Sequence, residues 1–340
     1  MKKKKIKVAV IGYGGAFNMG RHHLTEMKAA GMEPVAVAEV DNARALVALQ
    51  DFPAIQIFND VGQMLTQSDV ELITIITPHN THAALGLQCL KAGRHVICEK
   101  PMAITTAECD ALISLARKKK RLLSTYHNRH WDGWILRAVD QVKKKKTIGE
   151  IHRIDLRMGR RGKPGDWWRS SKSLSGGILY DWGVHLLEYA FQLVDSEIVE
   201  VSGFAREGFW GPQTKWKGDA IEDEGAAVIR FKNGAWINLC ISQLDANPKP
   251  GFVEIHGTTG NYVIDWNHYM HHRLEDGVAT TEQGPHPQSQ SQKFYDNIAA
   301  HLIKGEKLII TPEWSRRPIH VLDLAMRSAK AGRALPAKYG

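Results

Sequence analysis

Within residues 6–126, six short apolar runs alternate with helix-patterned stretches, and that alternation leaves few architectures open. The runs are "IKVAVIGYG" (6–14), "EPVAVAEVD" (33–41), "IQIF" (55–58), "VELITIITP" (70–78), "RHVICEKP" (94–101) and "RLLSTY" (121–126). Helices are expected over 21–30, 42–50, 60–67, 80–92 and about 105–120. A strand that is apolar on successive residues is covered on both faces, as in a parallel sheet between two helical layers. Residues 1–125 are therefore predicted to form a doubly wound parallel α/β sheet.

Beyond residue 126 the texture changes. A helix is expected at about 131–145, then strands at 150–159, 197–206, 226–242 and 252–265, with "KNGA" and "GTTGN" as hairpin turns. Further helices are expected at 181–194 and about 318–332. Residues 126–340 read as an α+β domain with an open, mostly antiparallel sheet, and a length of 340 residues suits two domains. The net charge of +9 raises the question of nucleic acid, but much of the excess lies in runs at 2–5, 117–121 and 143–146, next to element ends. No RNP-like, zinc-finger or helix-turn-helix pattern accompanies them, so no nucleic-acid partner is expected. Cys89, Cys98, Cys109 and Cys240 form no CxxC pair, which suits a reducing compartment and a cytoplasmic location. No segment has about 18 unbroken apolar residues, so no membrane span is expected.

The first run ends in "VAVIGYGGAFNMGRHH" (8–23), a strand, glycine turn and helix. Gly12 permits the tight turn and Gly14 lets backbone approach a pyrophosphate at the helix N-terminus. Gly15, Phe17 and Asn18 complete the candidate phosphate loop. Phe17 takes the place of the third glycine of G-x-G-x-x-G, and the next glycine is Gly20, so the turn is about three residues longer than the standard form. Glu39 ends the second strand, where a carboxylate can accept hydrogen bonds from ribose hydroxyls. Its charge would repel a 2′-phosphate, which favours NAD over NADP; Arg44 nearby argues the other way.

In "GGILYDWGVHLLEYAFQLV" (176–194) the polar residues Asp181, His185, Glu188 and Gln192 fall on one helical stripe. The stripe is either a narrow solvated face or the border of a cleft; the absence of Lys and Arg favours the cleft. At the carboxyl ends of strands four and five, where doubly wound sheets bind ligands, stand "TPHNTH" (77–82) and "CEKP" (98–101). Thr77, Pro78, His79, His82, Glu99 and Lys100 are thus candidate cofactor contacts, with Pro78 and Pro101 directing the chain away from each strand. Tyr126, Asn128 and Arg129 follow strand six, and Trp168 and Arg169 precede the 181–194 helix; all five are candidate substrate contacts. "HYMHH" (268–272) lacks convincing carboxylate partners and reads as a surface strand, so no metal site is expected.

"GYGG", "TPHNTH", "EKP" and "GGILYDWGVH" occur in the order seen in the glucose-fructose oxidoreductase / inositol dehydrogenase / rhizopine-catabolism (Gfo/Idh/MocA) oxidoreductases, which the chain resembles over nearly its whole length. "WWR" (167–169), "IEDEGAAVIRFKNGA" (221–235) and "HVLDLAMRSAKAGR" (320–333) extend the likeness. His79 and Glu188 depart from the usual asparagine and aspartate. The resemblance implies a Rossmann domain, a C-terminal domain whose open sheet often serves oligomerisation as a homodimer or homotetramer, and hydride transfer on a sugar or polyol. Lys100, Asp181 and His185 fall on the family's catalytic positions, with the polar stripe facing the nicotinamide. An imidazole, with an ordinary pKa of about 6.5, suits His185 to proton transfer near neutrality. Two other readings stay open: redox-neutral use of bound NAD for sugar elimination or glycoside cleavage, and a non-catalytic NAD-binding protein.

Overall fold

Short apolar runs broken by glycine, proline or a capping carboxylate give short strands and well-started helices. In the computed structural model, which describes residues 5–15 and 17–337, these are β1 (Lys7–Ile11), α1 (Met19–Ala29), β2 (Glu33–Ala38), α2 (Asn42–Asp51), β3 (Gln56–Phe58), α3 (Val61–Gln67), β4 (Leu72–Ile75), α4 (His82–Lys91), β5 (His95–Cys98), α5 (Thr106–Lys119) and β6 (Leu123–Thr125). Ala16 of the glycine turn and most of the lysine run at 2–5 lie outside the described residues. Asp41 caps α2, Asp60 caps α3, and Thr105 with Glu108 forms a capping box on α5.

All six strands are parallel, in the order β3-β2-β1-β4-β5-β6. This is the Rossmann order, whose switch point falls between β1 and β4. Val8, Val10, Ile73, Ile75, Val96 and Ile97 are fully buried, as two-sided cover requires. The strands end earlier than the sequence runs, at residues 11, 38, 75 and 98, and the remaining residues of each run form the loops at the ligand-binding edge.

The chain divides into two compact units: residues 1–128 with 292–316, and residues 129–291 with 317–340. A single division at 125/126 does not include the return of 292–316 to the first unit. That return carries α9 (Lys293–Lys304), where Tyr295 places its hydroxyl 2.7 Å from His23 Nδ1 on α1. In the same unit His95 accepts the Leu122 amide on Nδ1 (2.9 Å), tying the start of β5 to the approach to β6. Burial, with help from the Arg121 charge, pushes this imidazole down to about 4. The unfolded chain then binds the proton more readily, so the stability that neutral His95 contributes is complete above about pH 6.5 and is lost as pH falls toward 4. We expect His95→Asn to flatten the loss of thermal stability between pH 6.5 and 4.5, against a wild-type contribution of at most about 1.4 kcal/mol per pH unit. Parallel melting-temperature profiles for the two proteins would contradict this.

The second unit contains α6 (Gly133–Ala138), continued by a widened π-helical turn (Val139–Lys144), then β7 (Ile151–Gly159), α7 (Lys172–Ser175), α8 (Leu179–Leu193), β8 (Ile198–Arg206), β9 (Glu224–Phe231), β10 (Trp236–Ser242), β11 (Val253–Gly257), β12 (Gly260–Ile264), β13 (His268–Glu275) and β14 (Val278–Pro285). Helix α10 (Pro312–Ala331) and the short β15 (Leu335–Pro336) close the chain. The open sheet runs β14-β13-β12-β11-β7-β10-β9-β8-β15, antiparallel except for the β7/β10 pair. α8 lies on β7 and β10, with Gly183 letting Leu239 and Leu322 approach its backbone. Ile154, Leu156, Ile237 and Leu239 form the sheet side of this core.

Candidate functional site

The glycine turn has the backbone geometry that a dinucleotide needs. Gly12 has φ +82°, and a Cβ there would lie 2.9 Å from the Ile76 carbonyl oxygen, so no other residue fits. Around Gly14 (φ +72°) a Cβ would meet nothing closer than the Met19 amide at 3.6 Å, leaving the backbone approachable. Asn18 is the N-cap of α1 in a left-handed conformation with no side-chain cap bond, and the first turn holds no acidic residue. The helix N-terminus therefore keeps its partial positive charge for an anion. Gly20 supplies the close helix packing that the G-x-G-x-x-G pattern assigns to its third glycine: a Cβ there would lie 2.5 Å from the Tyr13 ring. Phe17 is exposed, Gly15 lies against Arg44, and Glu39 is buried with its carboxylate accepting the Tyr13 amide (2.6 Å) and the Asp41 amide (2.9 Å). These residues fit the phosphates and adenosine of a nicotinamide dinucleotide.

Two loops at the same sheet edge are fastened together. Thr77 Oγ1 lies 2.5 Å from Thr81 Oγ1, and Thr81 donates to the Pro78 carbonyl. His82 is buried with Nδ1 2.7 Å from the Pro101 carbonyl and Nε2 2.9 Å from the Thr77 carbonyl, so its ring joins the "TPHNTH" loop to the "EKP" loop. Either neutral tautomer donates to one carbonyl, and the imidazolium donates to both. His79 is buried beside it, with ring centroids 5.8 Å apart. Glu99 accepts the Lys100 amide (2.8 Å) and faces His23 Nε2 (3.1 Å). Burial would raise its pKa, but His23 and Lys100 outweigh burial and hold the carboxyl below its usual range. The carboxylate thus braces the backbone of Lys100 itself.

Tyr126, expected as a substrate contact, packs within the first unit. It is 2% exposed, donates to Glu26 (2.5 Å) and lies 2.8 Å from His22 Nε2. Burial and the Glu26 charge push its phenol far above the usual range. Asn128 opens a 3₁₀ turn (Asn128–Trp131) and is half-buried.

In the second unit the polar stripe of α8 divides in two. Glu188 is buried against His130 (2.5 Å) and receives Gln192 Nε2 at 3.1 Å, so the lower half is internal. The upper half begins at Asp181, whose carboxylate is 40% exposed and takes a 2.5 Å bond from Arg169. The Arg169 guanidinium lies over the rings of Trp168 (4.8 Å) and Trp167 (5.3 Å). His185 follows one turn later, buried, with the Trp182 ring 5.6 Å away. Arg129 covers the face of Trp182 at 5.0 Å and is held by Asp132 (3.2 Å), which also accepts from Tyr189 (2.7 Å).

The start of α8 depends on a residue the sequence did not single out. Glu222 is fully buried, accepts the Ile178 amide (2.8 Å) and pairs with Lys172 (2.7 Å). Gly176 (φ +93°) and Gly177 (φ +118°) bring the chain into this turn. In "HYMHH", His271 is buried and His272 lies 2.9 Å from Thr281 Oγ1. Asp155, Glu254 and His256 group on β7 and β11, but Arg153 (3.2 Å from Asp155) and Arg157 (3.6 and 3.5 Å from Asp155 and Glu254) make that cluster an ion-pair network. No helix of the described residues is long and apolar enough to cross a membrane.

Comparison with known proteins agrees with this geometry. Residues 6–127 match the model of the GFO/IDH/MocA oxidoreductase family, NAD-binding Rossmann fold, and residues 136–263 match a GFO/IDH/MocA C-terminal domain. The NADP-dependent scyllo-inositol 2-dehydrogenase IolW of Bacillus subtilis is 28% identical, over 98% of this chain and 96% of its own. Myo-inositol 2-dehydrogenase of Thermotoga maritima is 26% identical, over 82% and 79%. The crystal structure of an NAD-binding protein from Listeria innocua is 28% identical, covers 99% of this chain and 98% of its own, and superposes with a TM-score of 0.84. With both family models matched in order along it, the chain belongs to the Gfo/Idh/MocA family of oxidoreductases.

Proposed function

We propose that this protein is an NAD(P)-dependent dehydrogenase or reductase acting on a secondary alcohol of a sugar, sugar derivative or cyclitol. The observation that carries the reading is the pair Asp181 and His185, one turn apart on a helix started by Glu222, with Arg169 fixing the carboxylate. The inositol dehydrogenases among its relatives support a polyhydroxylated ring as substrate. A bound nicotinamide dinucleotide supplies the hydride acceptor or donor. The turn from Gly12 to Asn18 would hold its phosphates, and the Thr77–His82 and Glu99–Lys100 loops would border its nicotinamide end.

In this reading His185 takes the hydroxyl proton in oxidation and returns it in reduction. Asp181 orients the substrate hydroxyl and steadies the charged imidazole. The Lys100 ammonium donates a hydrogen bond to the reacting oxygen and stabilises alkoxide character. Arg129, Trp168 and Arg169 contact the remaining hydroxyls or an acidic group. A homodimer or homotetramer formed through the open sheet face, and a cytoplasmic location suited to unpaired cysteines, belong to the same proposal. The test is an absorbance screen for NADH and NADPH formation with inositols, aldoses, amino sugars and sugar acids. Stoichiometric reduced cofactor with one of them supports the dehydrogenase. Product without reduced cofactor points to redox-neutral recycling, and dinucleotide binding without any product points to a non-catalytic protein.

A further inference from the structure

We propose that His23 and Tyr295 are positioning residues for Lys100, acting through the Glu99 carboxylate. This rests on the reading of Lys100 as the ammonium that meets the reacting oxygen, and goes beyond it by naming what holds that lysine in place. Four parts of the first unit meet in one chain of polar groups: α9 supplies Tyr295, α1 supplies His23, β4 supplies Thr74, and the loop after β5 supplies Glu99. Thr74 Oγ1 lies 3.2 Å from the Tyr295 hydroxyl, that hydroxyl 2.7 Å from His23 Nδ1, and His23 Nε2 3.1 Å from a Glu99 oxygen. The other Glu99 oxygen accepts the Lys100 amide at 2.8 Å. Thr74, Tyr295 and His23 are fully buried.

The direction of the chain follows from its donors and acceptors. An ionised carboxylate only accepts hydrogen bonds, so the Nε2 proton of His23 belongs to Glu99 and Nδ1 is left for the phenol. Burial holds that phenol far above its usual range, so it remains a donor. A neutral ring accepts the phenol proton on Nδ1 while Tyr295 accepts from Thr74. A charged ring donates to the phenol, which then donates to Thr74, and the Thr74 hydroxyl turns to the Met27 sulfur at 3.9 Å. In both states every member is paired and the proton facing Glu99 keeps its place. Besides Lys100, the other ionisable groups facing this chain are Glu26 and Tyr126, 2.5 Å apart, and His22, 2.8 Å from the Tyr126 hydroxyl. A phenol, an imidazole and a carboxylate buried together lose hydration that an apolar trio would not have to replace. Phe294, beside Tyr295, fills its own buried place without a hydroxyl. The polar chain ends on the residue next to Lys100, which is where a positioning role needs it to end.

The test uses the full-length protein and follows hydrogen exchange at the Lys100 amide, with the amide of Ile97 in β5 as reference, so that one readout needs no substrate. His23→Leu takes the donor away from Glu99 and should speed exchange at Lys100 by roughly tenfold relative to Ile97. His23→Gln, whose side-chain amide can donate to the same oxygen, should recover most of that change. Tyr295→Phe keeps the ring and removes the hydroxyl, and should give a smaller change of the same sign. On the best substrate of the screen, kcat should fall by roughly tenfold in His23→Leu and about fivefold in Tyr295→Phe. Burial would raise the Glu99 carboxyl and His23 holds it down, so losing the donor should also move the acid limb of the kcat/KM profile to higher pH. Lys100 exchange that matches wild type in all three variants would overturn the proposal. So would a rise shared equally by Ile97, which marks general loosening, or faster Lys100 exchange with kcat and the acid limb unchanged. A wild type that turns over nothing in the screen sinks the catalytic reading of Lys100 and the proposal with it, while the exchange result shows whether the brace itself is real.

Discussion

His185→Ala is expected to lower kcat by at least about a hundredfold on the best substrate of the screen, while NADH and NADPH affinities stay within about threefold. The separation follows from where the parts reside. The glycine turn, Glu39 and Arg44 belong to the first unit, and His185 sits on α8 of the second. On the proposed assignment, removing the imidazole leaves the phosphate-binding turn whole and takes away the group proposed to accept the hydroxyl proton. Asp181→Asn keeps the shape of that pair but not its charge, so its loss should be smaller and should come with an altered pH–rate profile, because the neutral amide no longer steadies a cationic ring. Near-normal turnover by the alanine variant would reject the assignment of His185. A collapse of cofactor binding would instead show the histidine to be structural.

Gly177→Ala should cost the second unit about 3 kcal/mol, seen as a fall of roughly 6–12 °C in its melting temperature. Two penalties combine. The backbone at φ +118° is strained for any residue with a Cβ, and that Cβ would lie 2.7 Å from a Glu222 carboxylate oxygen. Glu222 cannot move aside freely, because it holds the Ile178 amide at the start of α8 and the Lys172 ammonium. Gly208→Ala separates the terms: its φ is +97°, yet nothing lies within 4 Å of the added carbon. That control should lose about 1 kcal/mol. Equal melting temperatures for the two variants would show that the Glu222 contact carries no weight. Since Asp181 and His185 follow this turn directly, a shift at Gly177 should also lower kcat in whatever fraction remains folded.

The alternation of apolar runs and helices made the first sheet legible because two-sided burial is written into consecutive residues. Strand tips were less so. Residues 12–14, 39–41, 76–78 and 99–101 continue the apolar or proline-bounded runs, but they leave the sheet to form the ligand edge. Tyr126 follows β6 at that edge, and only the fold reveals that its ring turns back toward Glu26, a hundred residues earlier. Helix α9 has a readable apolar face in Phe294, Tyr295, Ile298 and Ala299. Its membership in the first unit has no local signature, because periodicity reports which face is buried and not which neighbour buries it. Glu222 and Asp132 were missed for a related reason. A carboxylate with no local partner reads as surface, and the amide, ammonium and phenol that make each one structural are supplied from distant elements. The α8 stripe was visible as a pattern, whereas its split into an internal half and an Arg169-bound half depended on partners 12 and 58 residues away.

The return of residues 292–316 gives the nucleotide-binding half an unusual birth order. On the ribosome its six strands emerge before the tyrosine that meets His23, which arrives only after strands β7 to β14 of the second sheet have been translated. Until then, the α1 flank that Tyr295 covers stays open to water or to a chaperone. The maturing polypeptide therefore completes its earliest-made layer late, and severing it between the halves would leave that layer without its final piece.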